Sequence, residues 1–375
     1  MNNTKTSRLD YINSIRGIAV LMVIVVHISA AIDGLPETFK YICGKGAFGV
    51  QLFFVTSAFT LSLSYNNRVL TEGEHTNYNF FIRRLFRISP MYHLAALVYG
   101  IICYQIPAYN DGKPLVLWKM LANVLYLNGF LPGAINYLPP GGWSVGVEMA
   151  FYCCVPFLFT RIKTLKSATI WFITLLVLTF ILKVAIRYVL TSMGKDYQTP
   201  ENWFLYFWFP NQTPVFMLGL VLYYALKNYS IQSSTKTYIG LAGVLLLLAV
   251  FAYFRVSFDP YNLVPEYAIV AMFFTVNVFL MAQHPVKILN NRVTCFFGEI
   301  SFSLYLIHFI VIYVLADYLQ LPGNVYVQFF ILLLLTLSIS SVLAKLAYHF
   351  IELKGIKLGN RLIRRKVDKL EQGTW

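Results

Sequence analysis

Arg16 and His27 stand eleven residues apart in the stretch SIRGIAVLMVIVVHIS, with only small and apolar residues between them. Eleven residues of helix turn about 20° past three full turns and rise about 16 Å, so both side chains lie on one face. A guanidinium holds phosphate or carboxylate in a planar fork, and an imidazole exchanges a proton near neutral pH. Glu148 is a third ionisable group in apolar surroundings, within PPGGWSVGVEMAFY and four residues after Ser144. GEISFSLYLIHF sets Ser301, Tyr305 and His308 at i, i+4 and i+7, a polar stripe on one helical face. In FFIRRLFRISPMY, Arg84 and Arg87 are neighbours on one helical surface. An arginine pair there suits a phosphate-rich ligand.

These residues are expensive where they stand, because the surrounding sequence is built for a bilayer. Of 375 residues, 58% are apolar and only 12% charged, and the mean hydropathy is +0.62. A soluble domain averages about 45–50% apolar and about 25% charged. A helix crossing the hydrocarbon needs roughly 20 mostly apolar residues. That length picks out ten candidate spans, at 12–32, 47–65, 89–107, 143–160, 168–190, 209–227, 237–255, 265–283, 296–316 and 325–350. The segment 115–131 is too short and too polar to join them, and is expected in the interface or dipping partly into the membrane. The fold class is therefore all-α, a polytopic transmembrane bundle. Residues 1–355 form the membrane domain and 356–375 a basic tail suited to anionic headgroups. The first apolar run is interrupted by His27 and followed by many others, so it reads as a retained span rather than a signal peptide.

A net charge of +14 would suggest nucleic acid in a soluble protein. Here the cations sort by side. With the N-terminus in the cytoplasm, 21 of the 30 Lys and Arg fall inside, 8 outside, and Arg16 within the first helix. That bias supports an even number of spans with both termini inside, and nucleic acid becomes unnecessary. The five cysteines show neither metal-ligand nor disulfide spacing, and no metal is expected.

In this order, the segments resemble the bacterial acyltransferase-3 family of integral-membrane acyltransferases. LDYINSIRGIAVLMVIVVH is similar to the family's first span, with an arginine, ten residues, then a histidine. GVQLFFVTSAF resembles its second-span motif, FIRRLFRISPMY its arginine motif, and WSVGVEMAFY its tryptophan-serine-glutamate motif. GEISFSLYLIHF and HFIELKGIKLGNRL, the latter with Glu352, resemble its late and closing segments. Three positions depart from the pattern. Ala58 stands where the family has Gly, Met149 where a second acid often follows Glu148, and ELKG where Pro soon follows the closing Glu. Longer relatives append an extracytoplasmic esterase-like domain, and the chain is expected to lack one.

The resemblance implies transfer of an acyl group, most often acetyl, from cytoplasmic acyl-CoA to a hydroxyl of an envelope polysaccharide or lipid-linked sugar. It places the chain as a multi-pass protein of the bacterial cytoplasmic (inner) membrane. In that reading His27 is the general base or a transient acyl carrier. Arg16 contacts donor phosphate or polarises the cavity, and Glu148 orients the imidazole or another site group. Arg84 and Arg87 hold the phosphates of acetyl-CoA, while Ser144, Tyr305 and His308 are further cavity residues. The alternative is a transporter or flippase for an anionic lipid-linked glycan, which also needs buried Arg, His and Glu in a multi-span bundle.

Overall fold

A computed structural model describes residues 3–106, 109, 112–194, 203–253, 263–318 and 324–371, all helix, turn or coil, with no strand among them. Lys195, Arg255 and residues 372–375 of the basic tail lie outside the described residues. In chain order the helices are α1 (Asn3–Ala30), α2 (Glu37–Gly44), α3 (Gly49–Glu72), α4 (Thr76–Gln105), α5 (Leu117–Val124), α6 (Gly142–Arg161), α7 (Leu165–Ser192) and α8 (Trp203–Phe207). They continue as α9 (Phe209–Asn228), α10 (Ser234–Tyr253), α11 (Glu266–Gln283), α12 (Arg292–Glu299), α13 (Ser301–Tyr318), α14 (Val325–Ala347) and α15 (Leu353–Glu371). A π-helical turn, Tyr348–Glu352, joins α14 to α15.

Nine of the ten segments expected to cross the membrane lie mainly on one helix each, α1, α3, α4, α6, α7, α9, α10, α11 or α14, with residues 107, 254 and 255 outside the described residues. The tenth, 296–316, is split between α12 and α13 by a sharp bend. By length and composition, six helical stretches among the described residues can span a bilayer, one of them running from Glu37 to Gln105. Pairing α12 with α13 makes seven. α9 opens on Pro210, Asn211 and Gln212, which lower its hydropathy, and the apolar run of α10, Ser234–Val250, is short. The segment 115–131 forms only the short α5 and a 3-10 turn, with Leu117, Trp118 and Leu121 exposed.

α1 is the central helix. Ala19, Val20, Val23, Ile24 and Ile28 are almost wholly buried, and glycines let neighbouring backbones reach it. A Cβ on Gly17 would sit 2.0 Å from the Thr294 carbonyl oxygen on α12, and one on Gly298 would sit 1.7 Å from that of Asn13. On another side, a Cβ on Gly49 of α3 would come within 2.4 Å of the Ala19 carbonyl oxygen. Lipid supplies no hydrophobic drive between helices, so close packing through small residues carries the association. Polar links add to it: Ser14 Oγ donates to Asn290 Oδ1 at 2.8 Å, and Thr294 Oγ1 donates to Ser14 Oγ at 3.0 Å.

α12 begins in a capping box, with Asn291 Oδ1 accepting from the amides of Val293 and Thr294. It ends after two turns, and the chain bends by 81° into α13. α13 therefore starts beside the Arg16 level of α1 and runs along it toward His27. α4 begins well before the expected span and continues through Pro90, so the arginine motif rides on a helical extension of that span. The close approach expected from a glycine at position 58 is supplied from the other partner. Gly219 of α9 faces Ala58, where an added Cβ would meet the Ala58 methyl at 2.6 Å.

This packing makes a direct prediction. Gly17→Ala must force two backbones apart, an overpacking cost of about 1–3 kcal/mol or more. It should lower the melting temperature and the monodisperse yield of detergent-solubilised protein. Gly243 has nothing within 4 Å of an added Cβ, so Gly243→Ala should be neutral or slightly stabilising. Equal melting curves for the two variants would refute the close-contact account of α1.

Candidate functional site

Arg16 of α1, Arg84 and Arg87 of α4, and Ser144 and Glu148 of α6 line one cavity, together with Tyr305 of α13. The cavity encloses about 750 Å³ of space, counting its open mouth. Arg16 and Arg87 also line a second, wider cavity with Arg292, Glu299, Tyr348 and Glu352. The two spaces thus meet at a pair of guanidinium groups. Arg83, the third arginine of the motif, is turned elsewhere and forms an ion pair with Glu72 at 2.7 and 2.5 Å. Arg16, Arg84 and Arg87 have no ion pair within 4.0 Å among the described residues. Arg84 lies between the rings of Phe80 and Tyr152, 5.7 Å from each centroid, and its Nε is buried without a hydrogen-bond partner among the described residues. Such a set has unused capacity for an anion with several phosphates.

The carboxylates of the site are held by hydroxyls. Glu148 Oε1 accepts from Ser57 Oγ of α3 and, at 2.6 Å, from Tyr152 OH one turn along α6. Arg16 and Arg84 are in its electrostatic reach. Glu352, presented by the π turn, accepts from Ser303 Oγ of α13 and has Arg16 and Arg87 in reach. Arg16 therefore stands between two acids. Ser57, Tyr152, Ser303 and Arg292 did not emerge from sequence reasoning as site residues. Only the i, i+4 spacing of Glu148 and Tyr152 offered a local signal.

The Pro/Gly break before α6 serves to seat Ser144. Gly141 adopts φ 74°, and a Cβ there would lie 2.8 Å from Tyr305 OH. Its carbonyl accepts from Tyr305 OH at 2.9 Å, while Ser144 Oγ donates to the same hydroxyl at 3.0 Å. Tyr305 is the end wall of the arginine cavity and also neighbours His308, with ring centroids 6.0 Å apart. His308 in turn lies 5.4 Å from His27, centroid to centroid, and Phe309 packs against both at 4.1 and 4.4 Å. Neither histidine lines the arginine cavity; they lie one ring beyond it. The ring neighbours of His27 are His308 and Phe309, whereas Glu148 is engaged by Ser57 and Tyr152. No cluster of three or more His, Cys, Asp or Glu suited to a metal occurs among the described residues.

A bundle with arginines at one end of a cavity and a histidine pair past its other end also has sequence relatives. The family model described as an acyltransferase domain matches residues 9–345. The chain belongs to the acyltransferase-3 family. The chain is 26% identical over 93% of its length to a Staphylococcus aureus (strain COL) protein named "Putative O-acetyltransferase SACOL0978", covering 58% of that protein. It is 24% identical over 92% of its length to the O-acetyltransferase OatA of Staphylococcus aureus (strain NCTC 8325 / PS 47), covering 56% of it. The chain thus spans less than two thirds of the length of these curated relatives. No solved structure matches it.

The Glu352 contact can be checked by stability. Glu352 and Ser303 are 3% and 0% exposed. Glu352→Gln keeps an acceptor for Ser303 Oγ and should shift the melting temperature little. Glu352→Ala leaves that hydroxyl buried and unpaired, a cost of about 1–3 kcal/mol. Thermal unfolding in detergent should therefore rank Ala well below Gln, and equal midpoints would discard the contact.

Proposed function

We propose that this acyltransferase moves an acetyl group from cytoplasmic acetyl-CoA to a hydroxyl of an envelope polysaccharide or lipid-linked sugar. In this reading it is a bundle of ten spans in the bacterial inner membrane, with both termini in the cytoplasm. The side-to-side bias of 21 to 8 basic residues supports that orientation. One observation carries the proposal: two cavities meet at Arg16 and Arg87 and lead inward to Tyr305, beyond which stand His308 and His27. The relatives named O-acetyltransferases support acetyl as the group moved.

The donor enters through the wider cavity, where Arg292, Arg16 and Arg87 meet its phosphates, with Arg84 further in. Glu148 and Glu352 keep the arginines from facing one another uncompensated, and their own hydrogen bonds to hydroxyls leave the guanidinium forks for the donor. The pantetheine arm runs past Ser144 and Tyr305 and brings the thioester toward His27. The sugar hydroxyl arrives from the opposite end of α1. His27 takes the hydroxyl proton as its oxygen attacks the thioester carbonyl. The C–S bond then breaks, the acyl–oxygen bond is complete, and the departing thiolate receives the proton from His27. Membrane lipids surround the bundle, and the basic face of α15 meets anionic headgroups.

Purified full-length protein incubated with labelled acetyl-CoA should release CoA, whereas a flippase would leave the thioester intact. His27→Ala should reduce turnover by about 10²–10⁴-fold at unchanged protein level. Activity above a tenth of wild type would remove His27 from the mechanism. Arg84→Gln combined with Arg87→Gln should raise the acetyl-CoA concentration needed far more than the sugar concentration. Lysine at either position should restore it only in part, because the bidentate fork is lost. An unchanged acetyl-CoA dependence would return both arginines to the role of topology anchors.

A further inference from the structure

His308 lies wholly inside the bundle, at 0% exposure on α13. Its Nδ1 is 3.2 Å from the Leu304 carbonyl oxygen. A carbonyl only accepts, so Nδ1 carries the hydrogen and Nε2 of the neutral ring presents a lone pair. That nitrogen is buried and has no hydrogen-bond partner among the described residues. Nearby hydroxyls are already committed: Tyr305 OH donates to Gly141 O at 2.9 Å, and Tyr99 OH of α4 donates to Leu306 O at 2.9 Å.

The group facing His308 from α1 is His27, with centroids 5.4 Å apart. As placed, Nε2 makes no hydrogen bond to His27, but imidazole nitrogens lie roughly 1.2 Å from the ring centre, so turning the rings at this separation brings two nitrogens to about 3 Å, hydrogen-bond range. A slightly larger gap takes one bridging water. Phe309, packed against both rings, limits how far either can turn away. The His27 ring has no hydrogen-bond partner of its own among the described residues.

We propose that His308 is the positioning residue of His27: its Nε2 accepts the N–H of His27, directly or through one water. This rests on the reading of His27 as the base. The contact fixes the His27 tautomer and leaves the other nitrogen as the lone pair that meets the sugar hydroxyl. Once that nitrogen has taken the proton, the imidazolium still donates to His308, whose neutral lone pair stabilises it. The role is the one a carboxylate or carbonyl commonly plays for a working histidine, filled here by a second imidazole. A neutral partner suits a dry site, since it brings no second charge into the bundle.

The test uses membranes containing the full-length chain, labelled acetyl-CoA as donor and the glycans of the same membranes as acceptor. His308→Phe keeps a ring of similar shape and removes the acceptor. It should lower kcat about 10–100-fold with the acetyl-CoA KM unchanged. His308→Gln places an oxygen near the Nε2 position and should retain at least ten times the activity of His308→Asn, which reaches only to Nδ1. The double variant His27→Ala, His308→Phe should be no slower than His27→Ala alone. If His308 only fills space, the order reverses, with Phe tolerated and both amides equally impaired. Wild-type kcat in His308→Phe, or equal rates for Gln and Asn, alongside an inactive His27→Ala, overturns the inference and leaves the base assignment standing. An active His27→Ala overturns that assignment and this inference with it.

Discussion

Two helix backbones touch where Gly17 meets Thr294 and Gly298 meets Asn13, and the depth of every later site residue is measured from that contact. Any side chain at either glycine would hold α12 off α1. With the glycines in place, α12 is pinned at the level of Asn13 to Gly17, and the 81° bend that follows starts α13 at that height. Ser301, Tyr305 and His308 then climb beside α1 in step with the interval from Arg16 to His27. A slip of one turn between α1 and α12 would move Tyr305 out of the cavity wall and His308 away from its neighbour.

The same close packing explains how a cluster of arginines is tolerated in an apolar bundle. An unpaired buried cation is costly, and a tight ion pair would consume the group it neutralises. The chain takes a middle course: Glu148 and Glu352 lie in electrostatic reach of Arg16, but one oxygen of each, Oε1, is tied to hydroxyls, of Ser57 and Tyr152 for Glu148 and of Ser303 for Glu352. The two carboxylates offset part of the positive field while the guanidinium donors remain available. Arg83 shows the contrast, because its bond to Glu72 withdraws it from the cavity altogether.

Much of the bundle was legible in the sequence, because hydropathy and the 3.6-residue period are local properties. The helical segments, the shared face of Arg16 and His27, and the stripe Ser301–Tyr305–His308 all follow from spacing along one helix. The contacts that escaped join different helices. Ser57 with Glu148, Ser303 with Glu352 and His27 with His308 depend on inter-helix register, which is set by glycines scattered over α1, α12, α3 and α9. Glu148 has the type expected of an imidazole partner, and its i, i+4 spacing to Tyr152 is local, yet nothing in its segment reveals that Ser57 of α3 also takes its oxygen. The departure at Ala58 was visible, whereas its compensation by Gly219 required knowing that α9 is the neighbour. The extension of α4 below its span was hidden because polar helix and polar loop have similar composition.

The π turn at Tyr348–Glu352 admits one more residue than a regular helix would hold there. That extra residue resets the angular phase of everything downstream by roughly 100°. Glu352 is tucked toward α13, while Lys354, Lys357 and Arg361 remain exposed on α15 and Gly355 and Gly359 seat against Phe86 of α4. Shortening the turn by a single residue would rotate α15 as a rigid rod, carrying its glycine seam off α4. The chain is thus more sensitive to the arithmetic of this one turn than to the chemical identity of most residues beyond it.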